Sequence, residues 1–406
     1  MRRKNMNRLK LLSFSLCFLA ASSHAAGVVG QAGLKETVDN TIQPLMQKYD
    51  IPGMAIAVTV NGESHFYNYG VASKDTRQSV TNKTLFEIGS FSKTFTATLA
   101  SYAQANGDLS LADNASKYLP SLRGSSFDGI SLINLGTHTA GGLPLQAPDN
   151  IENTDQLMDY FKHWQPAHAA GTYRKYSNLS IGMLGMIAAG SMHMTFEDAM
   201  EKKLFPELGM THSYINVPPS QMQDYAQGYT AKDVPVRVNP GVLASEAYGV
   251  KSGSADLIRF IEANMDASML NRKLQRAIID THTGYFKSGE FTQDLIWEQY
   301  PYPVELKRLL AGNDPAVIYQ ETAASRLNPP LAPQADVLLN KTGSTNGFSS
   351  YAAFVPAKKI GIVILANKSY PIDQRVTAAY QILRQLESQA AVKNRSSGGD
   401  SKHLSH

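Results

Sequence analysis

The sequence predicts a mixed α/β fold: an antiparallel β-sheet flanked by helices, with an all-helical domain inserted between the two parts of the sheet-bearing domain. Three observations carry this. Strand-like runs gather towards both ends of the chain, at residues 54–73 and 336–368. Helix-like pieces separated by Gly/Pro loops fill the middle, and a strongly amphipathic helix follows the last strand. The expected boundaries are 26–104 with 228–392 for the α/β domain and 105–227 for the helical one.

Residues 1–25 come first and are set apart. Arg2, Arg3, Lys4, Arg8 and Lys10 precede an apolar run from Leu11 to Ala21, and Ser23-His24-Ala25 supplies small residues at a cleavage point. This is the pattern of a secretory signal peptide cut after Ala25, or alternatively after Ala26; the apolar run is too short to span a bilayer. Removing those five cations from the formal charge of +4 leaves about −1, so no basic surface for nucleic acid is expected. Cys17, the single cysteine, falls in the removed part. The remaining chain therefore has no disulfide, thiol nucleophile or cysteine metal ligand, and its fold rests on burying a core, for which about 380 residues suffice.

Leu34–Lys48 has helical apolar spacing interrupted by Pro44. "MAIAVTV" and "ESHFYNYGVAS" are strands joined by Asn61-Gly62, a hairpin turn signal. A helix over Ser90–Gln104 ends at Asn106-Gly107. "LSLADNASKYL", "NTDQLMDYFKHW" and "SIGMLGMIAAG" are the helical pieces of the middle, and "DVLLNKTGS", "GFSSYAAFVP" and "KIGIVILANK" are three successive strands. "DQRVTAAYQILRQLESQ" closes the fold, and residues 393–406 have the composition of a disordered tail.

Three short stretches carry chemistry. In "FEIGSFSKTF", Ser90 and Lys93 stand one helical turn apart, so an amine lies beside a hydroxyl at a helix start, where backbone N–H groups favour an anion. Serine needs such a neighbouring base to act as a nucleophile. Ser-x-x-Lys alone is weak, since about one occurrence is expected by chance. In "YRKYSN", Tyr176 near cations can ionise and serve as a general base, and Asn178 offers an amide to hold a substrate. In "NKTGSTNG", Lys341 brings a second positive charge, Thr342 and Ser344 offer hydroxyls to a carboxylate, and Gly343 permits close approach of a ligand or another backbone. Each stretch alone has an ordinary alternative: a solvated helix start, a loop, a capped strand edge.

Taken in this order, the three stretches resemble the S-x-x-K, S-D-N and K-T-G motifs of the penicillin-recognising serine enzymes. Tyr-Ser-Asn in the middle position is similar to class C serine β-lactamases, the cephalosporinases. "IPGMAIAV", "GGLPLQ", "PELGMTHSY", "EAYGVKS" and "GIVILANK" extend the likeness over nearly the whole chain after the signal peptide. The resemblance implies a β-lactamase/transpeptidase-like fold, a periplasmic monomer without a membrane anchor, and hydrolysis of penicillins and cephalosporins through an acyl-serine. It implies Ser90 as nucleophile, Lys93 and Tyr176 as proton carriers, and Lys341 as the cation that supports ionised Tyr176. It further implies substrate contacts from Gln146, Asn178, Tyr248, Thr342, Gly343, Ser344 and Asn346, with the N–H groups of Ser90 and Ser344 as oxyanion hole.

Two departures from the family pattern concern carboxylate recognition. Ser369 and Ile372 stand where many relatives carry asparagines, and Asn346 replaces a more frequent glycine. Class A enzymes deacylate with a loop glutamate; the only Glu-x-x-x-Asn here, Glu36–Asn40, precedes the nucleophile in a helix, leaving Tyr176 to prime the water. The ten histidines include no His-x-His, so neither a zinc site nor any other cofactor is expected. Two alternatives stand beside the lactamase. One is a D-alanyl-D-alanine carboxypeptidase or serine esterase on the same scaffold; the other is a non-catalytic penicillin-binding sensor.

Overall fold

The computed structural model describes the backbone of residues 17–398 and the side-chain environments of residues 33–388. The stretch expected to be a signal peptide lies outside the residues whose side chains are described, and residues 399–406 of the expected tail lie outside altogether.

A ten-stranded antiparallel sheet organises the chain. Numbering only its strands, these are β1 Gly53–Val60, β2 Glu63–Gly70, β3 Tyr173–Arg174, β4 Gly284–Ser288 and β5 Phe291–Gln293. The remainder are β6 Glu298–Pro301, β7 Thr322–Leu331, β8 Val337–Ser344, β9 Ser349–Val355 and β10 Ile360–Ala366. Their spatial order is β2-β1-β10-β9-β8-β6-β5-β4-β7-β3. The expected hairpin is β1–β2, with Gly53 opposite Gly70 and Val60 opposite Glu63; Asn61 and Gly62 both take positive φ, as its tight turn requires. The run β8-β9-β10 forms a meander in which Gly343 faces Ser350 and Ala352 faces Val363.

Side-chain alternation splits these strands between two cores. Ala55, Ala57, Ala352, Phe354, Val363 and Leu365 point to one face, with Phe91, Phe95, Phe260 and Trp297 packed upon them. Met54, Ile56, Val58, Tyr351, Ala353, Ile362 and Ile364 point to the other. That second face is covered by the terminal helices, α1 (Cys17–Tyr49) and the chain's last helix (Ile372–Gly398). They contribute Leu34, Val38, Ile42 and Leu45, and Val376, Ala379, Ile382 and Leu386. α1 runs through Pro44 without a break, and the closing helix continues past the start of the expected tail to Gly398.

The first face receives α2 (Ser92–Asn106), which lies against α3 (Asn178–Ser191) and the helices α4 (Ser254–Met265) and α5 (Arg272–Thr281). α2 ends where expected: Gly107 takes a left-handed conformation and its N–H closes on Ala103 and Gln104. Sequence patterning had not indicated β3 to β7. The edge strand β3 comes from inside the segment expected to be all-helical and pairs Arg174 with Thr322. Among the described residues no single helix is long and apolar enough to cross a membrane.

Candidate active site

The site forms where the start of α2 meets the end of β8. A short 3-10 turn, Gly89–Phe91, precedes α2 and carries Ser90. Two glycines let this turn touch β8. Gly89 has a φ of +52°, and a Cβ on it would stand 2.5 Å from the Ser344 nitrogen. Gly343 lies against the backbone of Ile88 and Phe91. The freedom expected at Gly343 is thus used by another stretch of backbone. Ser350 Oγ of the neighbouring β9 donates to the Ile88 carbonyl at 2.7 Å, and Thr345 Oγ1, just past the end of β8, donates to buried Glu87 at 2.6 Å, fastening the chain ahead of Ser90 to this corner of the sheet.

Ser90 is half-buried and Lys93 fully buried one turn below it. Lys93 Nζ lies 2.9 Å from Ser90 Oγ and donates to the Ala247 carbonyl at 2.8 Å. It also lies 5.0 Å from the centre of the Tyr176 ring, and Lys341 Nζ lies 5.2 Å from the same ring. The Tyr176 hydroxyl is buried without a hydrogen-bond partner in the protein. Burial would raise its pKa, but the ammonium groups of Lys341 and then Lys93, with the nearby Ser90 hydroxyl, outweigh burial and bring it down to about 8. Burial likewise brings Lys93 down to about 8; Tyr176 opposes this and Lys341 adds to it. A buried amine and a buried phenol with nearly matched proton affinities, both beside a serine hydroxyl, can pass a proton with little driving force either way.

A second tier of charge supports this group, and sequence reasoning had missed it. Glu298 on β6 lies 3.4 Å from Arg174 Nη2 and 3.9 Å from Lys341 Nζ, with all three side chains buried. Arg174 also donates to Gln293 at 2.7 Å and to the Val317 carbonyl at 2.9 Å. His138 packs its ring on Tyr176 with centroids 4.3 Å apart. Arg375, from the closing helix, donates to the carbonyls of Gly343 (2.6 Å) and Ser350 (3.1 Å) and to Ser344 Oγ (3.0 Å).

The remaining expected residues lie on the same elements or on stretches next to them in the chain or bonded to them. Asn178 opens α3 behind its Ser177 cap; it is buried with its Oδ1 unpartnered, and its N–H bonds the Leu145 carbonyl at 2.9 Å. Gln146, the residue after Leu145, is exposed. Tyr248 is half-buried at the end of the short helix Ala244–Tyr248, one residue from the carbonyl that accepts from Lys93. Thr342 is buried, while Ser344 and Asn346 are exposed at and beyond the end of β8. Ser369 donates its N–H to the Tyr229 carbonyl. Glu36 sits on α1, across the sheet from α2 and therefore away from Ser90.

A family model described as Beta-lactamase matches residues 38–387. A beta-lactamase of Pseudomonas fluorescens is 52% identical over 354 residues, which span 87% of this chain and 99% of that protein. A solved class C beta lactamase superposes with a TM-score of 0.85 at 60% identity, covering 87% of this chain and 98% of the other. A structure described as a beta-lactamase/D-alanine carboxypeptidase from Pseudomonas syringae gives a TM-score of 0.85 at 55% identity, over 87% and 99%. Matches of this extent run through both sides of the seam at which Ser90, Lys93, Tyr176 and Lys341 meet, and the chain accordingly belongs to the class C serine β-lactamases, hydrolases that open β-lactam rings.

Proposed function

We propose that this chain hydrolyses penicillins and cephalosporins in the periplasm as a monomer and so protects its cell from them, with the following division of labour. Ser90 Oγ attacks the lactam carbonyl carbon while its proton passes to the Lys93–Tyr176 pair. The C–O bond forms, the ring C–N bond breaks, and the proton is delivered to the departing nitrogen, leaving an acyl-serine. A water then attacks the ester carbon, giving a proton to Tyr176, and Ser90 leaves with a proton returned to its oxygen. The oxyanion of each step rests on the N–H groups of Ser90 and Ser344. Lys341 holds ionised Tyr176 and draws the substrate carboxylate, helped by Thr342, Ser344 and Asn346. Asn178 and Gln146 take the side-chain amide, and Tyr248 borders it.

The observation that carries this assignment is Lys93 Nζ at 2.9 Å from Ser90 Oγ, beside a buried phenol with two lysines over its ring. Burst kinetics with a chromogenic cephalosporin test it. Continuous turnover that Ser90→Ala abolishes and Tyr176→Phe cuts by about a hundredfold or more is expected. One equivalent of product followed by silence would overturn hydrolysis in favour of a penicillin-blocked enzyme. Near-normal turnover in Tyr176→Phe would remove the phenol from the mechanism.

A further inference from the structure

His138 is a buried titratable group lying against the Tyr176 ring to which the mechanism above gives no task. It stands in the turn Thr137-His138-Thr139 with a φ of +60°. Its backbone carbonyl accepts the N–H of Lys175 at 2.9 Å, and its ring Nδ1 lies 3.2 Å from the N–H of Ser177. One residue thus holds the peptides on both sides of Tyr176, while its ring lies against the phenol face with centroids 4.3 Å apart. An Nδ1 that accepts from a backbone N–H carries no proton, so the neutral ring must carry its proton on Nε2. That Nε2 is buried with no acceptor in the protein.

The surroundings keep the ring in this form. Arg174 from β3, Lys93 from α2 and Lys341 from β8 all face it, with Tyr176 against it and Glu298 of β6 beyond the two cations Arg174 and Lys341. Burial first, then Arg174, Lys93 and Lys341, push its pKa well below the usual histidine value. Protonation would place an N–H against the Ser177 N–H and add a fourth cation to the cluster.

We propose that His138 is a positioning residue for β-lactam hydrolysis: as the neutral Nε2–H tautomer it clamps the Lys175 and Ser177 peptides and so fixes the Tyr176 phenol against Lys93 and Lys341. This rests on Tyr176 being the proton carrier. The function of the clamp is electrostatic. Tyr176 ionises readily only where the two ammonium groups offset its burial, and displacement of the ring by a fraction of an ångström weakens that balance.

Two substitutions separate the parts. His138→Asn keeps an acceptor for the Ser177 N–H and tolerates positive φ. His138→Phe keeps a ring against Tyr176 but strands that N–H. The expected result is a kcat about 10–100-fold lower for His138→Phe, with the acid limb of the kcat–pH profile moved up by about half a pH unit or more. His138→Asn is expected within about threefold of the parent, with the limb unmoved. In a Tyr176→Phe background, His138→Phe is expected to add no further loss. An unmoved limb in His138→Phe, or the same loss with and without Tyr176, overturns the proposal and makes His138 merely structural. If Tyr176→Phe alone turns over normally, it is the phenol assignment that fails, whatever the His138 variants do. Should the variants not fold, ¹⁵N-histidine spectra of the parent enzyme decide. An unprotonated Nδ1 from pH 5 to 9 is expected at about that range; titration there, or the Nδ1–H tautomer, refutes the clamp.

Discussion

Gly343 lies so close to Ile88 that a Cβ on it would stand 2.0 Å from the Ile88 carbonyl oxygen and 2.8 Å from the Phe91 nitrogen. Those two backbone atoms flank Ser90 in the chain, so the width of one methyl group sets the distance between Ser90 and β8. Gly343→Ala is expected to push the turn away from the strand, costing about 1–3 kcal/mol of stability. It is expected to lower kcat/KM by about a hundredfold, since displacements near 1 Å cost that much. Thermal melts and steady-state kinetics measure both, and parental kinetics in the alanine variant would show that the seam is looser than its geometry.

Lys341 and Glu298 act on the same phenol with opposite sign. Lys341 is the largest charge lowering the Tyr176 pKa, and Glu298 raises it. Lys341→Met should therefore move the acid limb of the rate profile to higher pH, and Glu298→Gln should move it lower. The second variant leaves Arg174 and Lys341 buried without their carboxylate, a change expected to cost about 3–5 kcal/mol. Its limb must then be recorded below its melting temperature. Shifts in the same direction for both would contradict the electrostatic balance proposed here for Tyr176.

The residues proposed to do the chemistry were easier to find from sequence than the residues that hold them. Ser90, Lys93, Tyr176, Asn178 and Lys341 sit in short motifs whose residue types announce a role, and Asn61-Gly62 announces a hairpin because few pairs take two positive φ values. Glu298 gives no such signal. It stands 124 positions from Arg174, and nothing local says that both charges are buried. His138 lies among threonines and glycines as any loop histidine would. The strand β7 is mostly solvent-facing and ends in Asn328-Pro329-Pro330-Leu331, a composition that argues against a strand, and β3 has only two residues. Their pairing follows from the neighbours they meet, which a one-dimensional pattern does not contain.

His282 gives the fold an acid sensitivity separate from catalysis. It is buried with its ring edge-on to Trp297 at 6.3 Å, and burial takes its pKa from 6.5 down to about 4. Between those values the unfolded chain binds a proton that the folded chain refuses. Stability is therefore fully present above pH 6.5 and falls as pH drops towards 4, by about 3 kcal/mol for this one group. In His282→Phe this loss is absent. The difference in melting temperature between variant and parent should thus grow in the variant's favour from pH 7 to pH 4.5, from whatever value the lost bond to Asn264 sets at neutrality. A difference that stays constant with pH would mean that His282 protonates as readily folded as unfolded.

Arg375 tests whether the closing helix governs the end of β8 at which substrate is proposed to bind. Its guanidinium, fully buried and without a carboxylate partner within ion-pair distance among the described residues, serves four acceptors: the carbonyls of Gly343, Ser350 and Tyr370 and the hydroxyl of Ser344. Only a planar fork with several fixed donors reaches so many at once, so Arg375→Lys is not conservative here. A lysine would satisfy one or two of the four and leave buried carbonyls unpaired, at about 1–3 kcal/mol for each one orphaned. Because Gly343 and Ser344 are also the residues against which the Ser90 turn rests, the loss should reach catalysis. KM is expected to rise and acylation to slow by about tenfold or more, while the pH limb set by Tyr176 stays in place. Stopped-flow acylation across pH measures both. A limb that moved together with the rate would place Arg375 in the charge balance of the phenol instead of in the alignment of β8.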